Sequence, residues 1–332
     1  MSCSTFINQK FKVEAFKVLG NRIMYLWKYC LILLHLIVAI AARAQGDLYK
    51  SDDNIYELSP SNFDKVIQKT NYTSLVKFYA PWCGYCKQLE PAYHKLAKLI
   101  HNDGQYAINV ASVNCDEDKN KELCAKYKIS GFPTLMVFRP PKYDSKKKNK
   151  VYSHAVEPYK GERSLKSMYA FVTSRIKNYV KKFANLQSDG LKDWLMEDRE
   201  NNKVLLLTES KQISPLYKSL AIDFINTLKF GMVNVKSLKD VNNFKIEIND
   251  KKIVLPIDQD DKLPILLNFD EKTQEFSRFE SEKLTDKVKL SEWLIESNNV
   301  QPLEGPLSKK DKKYYSNYRK GIKGKKVVHD EL

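Results

Sequence analysis

Apolar and polar positions along the chain fall into short blocks whose period switches repeatedly between that of strands and that of helices. "IYELSPSNFDKVI" reads as a short strand followed by a helix opened at Ser59-Pro60, because serine caps a helix start and proline suits its first turn. "SLVKFYA" is a buried strand, and "GYCKQLEPAYHKLAKLI" sets Leu89, Tyr93, Leu96, Ala97 and Ile100 at helical spacing. "YAINVASVNC" and "KNKELCAKYKI" are the next strand and helix. "PTLMVF" and "VYSHAVEPY" make two further strands around a basic loop, and "SLKSMYAFVTSRIKNYV" closes with a helix. This order opens with parallel crossovers and ends with a hairpin, so the expected fold class is α/β, a mixed β-sheet flanked by helices.

The second half repeats the plan in weaker form. "KVLLLT", "LKFGMVNV", "LPILLNF" and "FSRFE" read as strands, with helices at "SPLYKSLAIDFI" and "KVKLSEWLIES". Lys87–Ala97 matches Lys211–Ala221 at six of eleven positions, which points to two copies of one fold. Between strand and helix the first copy carries "PWCGYC", where the second has only Glu209-Ser210, and residues 178–332 hold no cysteine. Trp194 and Trp293 read as core residues of this second copy.

The ends carry addresses. An apolar run from Tyr29 to about Ala42 follows Lys28 and closes on small residues at Ala42 and Ala44, the pattern of a signal peptide cleaved after Ala44. Met24 would by itself begin a leader of ordinary length, so residues 1–23 read either as a dispensable extension or as an over-long start assignment. The run is shorter than the roughly 20 residues a membrane span needs, so no stable membrane insertion is expected. His329-Asp330-Glu331-Leu332 is a receptor-read retrieval signal, placing the protein in the endoplasmic reticulum lumen with the retrieval receptor as a partner. The expected division is signal peptide 1–44, cysteine-bearing domain 45–180, cysteine-free domain 181–300, and a basic flexible tail 301–332.

The formal charge of +16 changes little in this picture. Residues 1–44 carry +5, 139–150 carry +5 and 308–328 carry +8, leaving the remainder at −2. Positive charge confined to a leader, a loop and a tail does not make a nucleic-acid groove, so no nucleic-acid partner is expected. The Lys146-Lys147-Lys148 run reads as a solvated loop, with an acidic partner or anionic surface as the alternative.

Cys83 and Cys86 sit where a strand meets a helix. At a helix start, unpaired N–H groups and the positive end of the dipole stabilise a thiolate, so Cys83 is the expected nucleophile. Cys86, one turn deeper, would resolve the mixed disulfide. A bare C-x-x-C also serves zinc, but the other candidate ligands, Cys115 and Cys124, do not form a second close pair, so no metal is expected. Cys115 and Cys124 are expected to form a structural disulfide in an oxidising compartment, two buried thiols being the alternative. Cys3 and Cys30 fall in the leader.

"FYAPWCGYCKQL", "GFPTLMVF" from Gly131 and "YKGERS" from Tyr159 together resemble the protein disulfide isomerases, lumenal members of the thioredoxin fold. The resemblance spans about residues 60–180, and residues 183–300 resemble the family's cysteine-free domains more loosely. It implies two thioredoxin-like domains, the first redox-active. It also implies a cis Phe132-Pro133 peptide facing Cys83, with Leu263-Pro264 as its counterpart, and a substrate groove at Trp82, Phe132 and Pro133. Trp82 otherwise reads as an apolar cover of the reactive turn.

Three departures from the family pattern bear on redox tuning. Tyr85 replaces the usual His between the cysteines and should weaken oxidation by Cys83. Lys77 stands where the family commonly places a buried Glu; it is a proton relay for Cys86 if buried, and a snorkelling side chain if not. Ser130 replaces an Arg, which should leave Cys86 harder to ionise.

The implied function is disulfide formation, reduction or rearrangement in secretory proteins, with reduction and isomerisation favoured. Substrates would be unfolded or misfolded secretory polypeptides. No diffusible cofactor is implied, and glutathione or a lumenal thiol oxidase would reset the pair. Lumenal chaperones are further candidate partners. A chaperone or adaptor module with an incidental dithiol is the alternative. Asn71-Tyr72-Thr73 is an N-glycosylation sequon expected in an exposed loop. His94 and His101, seven apart, lack a third ligand for a metal.

Overall fold

The computed structural model describes residues 27–33, 48–49, 52–144, 153–197, 199–236, 244, 246–248, 251–258, 260–280 and 284–308. The chain divides into two units, Met1–Asp47 and Leu48–Leu332. In the first, residues 27–33 are helical and exposed. The signal-peptide cleavage site, the Lys146–Lys148 run and the retrieval signal lie outside the described residues. Among the described residues no helix is long and apolar enough to cross a membrane.

The second unit holds two five-stranded mixed sheets. The first is built from β1 (Tyr56–Glu57), β2 (Thr73–Tyr79), β3 (Ile108–Asn114), β4 (Thr134–Arg139) and β5 (Ala155–Pro158), in the order β1-β3-β2-β4-β5. β3 runs parallel to β1 and β2, while β4 and β5 are antiparallel. Helices α1 (Pro60–Phe63, continued through Gln68), α2 (Gly84–Lys98), α3 (Lys121–Lys126) and α4 (Leu165–Ser174) cover its faces. The element order is the one the periodicity predicts.

All of β2 is buried, and its side chains alternate between two cores. Leu75 and Tyr79 join Tyr93, Leu96, Val110 and Val172 on one face. Val76 and Phe78 join Phe63, Ile67, Val113 and Phe138 on the other. Lys77, between Val76 and Phe78, therefore shares the face of Leu75 and Tyr79, inside the protein.

The second sheet comprises β6 (Val180–Phe183), β7 (Lys203–Thr208), β8 (Lys229–Asn234), β11 (Ile265–Asp270) and β12 (Glu275–Arg278), in the order β12-β11-β7-β8-β6. Read from the other edge this is the first sheet again. Helices α5 (Asp189–Met196), α6 (Pro215–Asp223) and α7 (Lys287–Asn298) accompany it, together with a hairpin of β9 (Ile246–Ile248) and β10 (Lys251–Ile253). Trp194 is buried, and Trp293 packs against Phe279 with ring centroids 5.3 Å apart. β6, α5 and the hairpin are additions to the predicted elements. β6 buries only Val180 and Phe183 around two exposed lysines, too short a pattern to distinguish from a linker.

The tail expected to start flexible at Gln301 is instead docked through Ser308. Leu303 and Glu304 donate their N–H groups to the Asp223 carbonyl at 2.8 and 3.3 Å, and Ser308 is buried. Gly305 has φ +84°, and a Cβ there would lie 2.7 Å from Asp223 Oδ2, so only glycine lets the segment pass this close.

Polar groups join the two domains. The buried Asp223 accepts from the Tyr72 hydroxyl at 2.6 Å and pairs with Lys287 Nζ at 2.6 Å. Lys287 also donates to the Gln105 carbonyl at 2.7 Å, and Ala107 N–H donates to Ser219 Oγ at 2.8 Å. Burial raises the Asp223 carboxyl above its ordinary range, against the opposing pull of Lys287.

Candidate active site

Strand β2 ends at Tyr79, and the turn Ala80–Trp82 delivers the chain to α2. Cys83 is the N-cap of that helix, in extended conformation. Cys83 N–H donates to the Ala80 carbonyl at 3.1 Å, and Cys83 Sγ accepts from the Cys86 N–H at 3.3 Å. A sulfur in this position sits at the N-terminal end of the helix, among its first N–H groups.

Both cysteines are buried, but Cys83 keeps 7% exposure where Cys86 has none. Burial, reinforced by the hydrogen bond with Cys83, pushes the Cys86 thiol up to about 11. The two cysteines are unpaired with each other, whereas Cys115 and Cys124 are joined by a disulfide, with Cα atoms 6.0 Å apart. That bond ties the end of β3 to α3.

Trp82 is 61% exposed, its ring meets Phe132 edge-on at 6.0 Å, and its indole N–H donates to Asp116 Oδ1 at 2.9 Å. Tyr85 is 68% exposed. The Phe132-Pro133 and Leu263-Pro264 peptides are both cis. The Pro133 carbonyl accepts from Arg163 Nη2 at 3.1 Å, which anchors the loop that carries the first cis proline.

Lys77 lies under the pair and is 0% exposed, so the snorkelling alternative is excluded. Its Nζ donates to the Cys86 carbonyl at 3.0 Å and to the Tyr49 hydroxyl. Burial lowers its pKa to about 8.

Two site residues escaped the sequence reading. Tyr49, which sits in an apparently polar lead-in, is fully buried against Tyr79, Tyr93 and Lys77; the adjacent Leu48 was the available signal. Arg163 stands inside the quoted "YKGERS" stretch, but its contact with Pro133 depends on folding.

The sequon is not in an open loop. Asn71 donates its carboxamide to Glu304 Oε1 at 2.9 Å and its N–H to the same oxygen at 3.3 Å, so the docked tail faces the acceptor nitrogen. His94 bonds Asp52 rather than pairing with His101, and Asp52 raises its pKa.

Residues 54–173 match the thioredoxin family. Protein disulfide-isomerase MPD1 of Saccharomyces cerevisiae is 39% identical over 322 residues, covering 91% of this chain and 98% of that protein. A mitochondrial thioredoxin domain-containing protein of Schizosaccharomyces pombe is 38% identical over 185 residues, 55% of this chain and 47% of that protein. Protein disulfide-isomerase 1 of Dictyostelium discoideum is 36% identical over 146 residues, 44% of this chain and 36% of that protein.

Proposed function

Because the chain belongs to the protein disulfide-isomerase family and is a thiol–disulfide oxidoreductase and isomerase, we propose that Cys83 is its nucleophile and Cys86 its resolving thiol. One observation carries this assignment: Cys83 caps the helix and is the more exposed of the two, while Cys86 is fully buried, its N–H on the Cys83 sulfur. A substrate strand rests against Trp82, Phe132 and Pro133. Cys83 thiolate attacks a substrate disulfide, and one substrate sulfur leaves as thiolate. That thiolate can re-attack elsewhere in the substrate, which completes an isomerisation. Otherwise Cys86 attacks Cys83 and releases the substrate reduced.

The place of action is the endoplasmic reticulum lumen, supported by the apolar leader and the H-D-E-L terminus. Substrates are unfolded or misfolded secretory polypeptides, and glutathione or a lumenal thiol oxidase resets the pair. Tyr85 brings no charge to the reactive turn, which favours reduction and isomerisation over strong oxidation.

Refolding of a protein with scrambled disulfides tests the assignment. Cys83→Ser is expected to abolish activity, and Cys86→Ser to accumulate mixed disulfides. Full activity in the doubly substituted protein would sink the proposal. Equilibration against glutathione should show Tyr85→His to be the stronger oxidant; an unchanged equilibrium removes the role given to Tyr85.

A further inference from the structure

We propose that Asn71 carries an N-linked oligosaccharide which only the unfolded chain accepts, and that folding then closes the site. The proposal rests on the lumenal location given above, where a glycan transferase and its lipid-linked donor are found.

Asn71-Tyr72-Thr73 is the single N-x-S/T sequon of the chain. Glycan transfer reads the asparagine carboxamide and the threonine hydroxyl together, on a free stretch of chain. The fold takes both away. Thr73 opens β2 and is 0% exposed. Its N–H donates to the Ala107 carbonyl at 3.2 Å and its hydroxyl to the Arg175 carbonyl at 3.0 Å. Tyr72 is buried with its hydroxyl on Asp223, and the Asn71 carboxamide donates to the buried Glu304.

Chain order decides when the site is open. Arg175 lies 102 residues beyond Thr73, Asp223 lies 151 beyond Tyr72, and Glu304 lies 233 beyond Asn71. A sequon that enters the lumen as the chain is made meets the transferase before these partners exist. Once β2 is paired, reopening the sequon means unfolding the central strand of the first sheet.

In the transfer the carboxamide nitrogen bonds to the anomeric carbon of a lipid-diphosphate-linked oligosaccharide. The bond from that carbon to the diphosphate breaks and its electron pair leaves on the diphosphate oxygen. The nitrogen gives up one of its two hydrogens as a proton.

The finished fold has a place for the product. Glu304 Oε1 accepts from the backbone N–H of Asn71 at 3.3 Å and from its carboxamide at 2.9 Å. An oxygen shared by these two groups lies on the backbone side and takes the carboxamide hydrogen that points toward Cβ. The modified carboxamide is a secondary amide, trans like a peptide bond, so the sugar replaces the other hydrogen. Asn71 is only half-buried, which leaves the sugar a way out to solvent. Glu304 therefore holds the carboxamide before and after modification, and the docked segment seals the linkage.

The test translates the full chain with microsomes present. Protection from added protease reports entry into the lumen, and a mobility shift reversed by endoglycosidase H reports the glycan. The wild type is expected to be protected and shifted, and Asn71→Gln protected and unshifted. An unprotected chain defeats the lumenal reading and the proposal with it. A protected chain without the shift, or a shift that survives Asn71→Gln, defeats the glycan alone.

Two rates then check the closure. Full chain made in bacteria and folded without glycan is offered to solubilised transferase and donor, beside a peptide of residues 66–78. The folded chain should be modified at least about a hundredfold more slowly, because the strand must open first; equal rates overturn the proposal. On the native glycoprotein, an amidase that cuts at the carboxamide should act about tenfold faster in Glu304→Ala, the scale of a lost hydrogen bond to a charged group. Endoglycosidase H, which cuts between sugars, should act equally on both. An unchanged amidase rate removes the grip assigned to Glu304.

Discussion

The two domains share a sheet order and a central tyrosine, yet one carries a reactive turn and the other does not. Tyr93 donates between the carbonyls of Leu75 and Ala111, and Tyr217 between those of Val204 and Gly231. Each hydroxyl bridges the same positions of two adjacent parallel strands. The helices differ in where they start. α6 begins at Pro215 with Ser214 as its cap, the Ser214 side chain accepting from Tyr217 N–H. α2 begins seven residues before the matching Pro91, with a cysteine sulfur as its cap. The chemistry is thus nearly two helical turns added to a scaffold that folds without them.

The same superposition of roles sharpens the reading of Lys77. Leu75 and Val204 hold matching places beneath the tyrosines, so two residues along, Lys77 corresponds to Leu206. In the domain without cysteines, the position is apolar.

The comparison can be broken hardest at the contact between domains. Asp223→Ala leaves the Lys287 ammonium buried without its carboxylate, and equilibrium unfolding in urea should show a loss of about 3–5 kcal/mol. A loss below about 1 kcal/mol would mean that the domains do not depend on the pair.

Next in size, Tyr93→Phe and Tyr217→Phe each strip a fully enclosed hydroxyl from two carbonyls. Each should cost about 1–3 kcal/mol in the same assay. Equal costs would support one scaffold used twice, and a large cost at one site alone would contradict it.

The smallest effect belongs to the first domain only. Asp52 raises the pKa of His94, so the folded state holds a proton the unfolded chain gives up near the ordinary value of 6.5. The stabilisation is fully present below 6.5 and is lost as pH rises through the raised folded value. His94→Asn should flatten this part of the stability profile, as measured by thermal unfolding from pH 5 to 9.

Much of the fold was legible because its strands are apolar runs and its helices carry clear periodicity. α2 is the best case: Leu89, Tyr93, Leu96 and Ala97, picked by spacing, are all buried. The weak elements were not legible, since β6 and the β9–β10 hairpin are short and draw their stability from neighbours rather than from pattern. The docking of residues 302–308 was hidden for a similar reason. It depends on Asp223, about eighty residues earlier, and on a glycine whose necessity appears only when the two segments meet.

By itself the sequence determined the class of reaction, since a cysteine pair between strand and helix, set among the motifs around Trp82, Pro133 and Arg163, marks thiol–disulfide exchange. It also determined the repeat, through the shared residues around Tyr93 and Tyr217. Only the tertiary structure decided the state of Lys77. Whether a lysine snorkels or titrates depends on burial, and burial is set by strand register and by Tyr49 closing over it from a segment that periodicity leaves blank. Charge on a side chain is a property of its surroundings, and those surroundings are assembled from residues far apart in the chain.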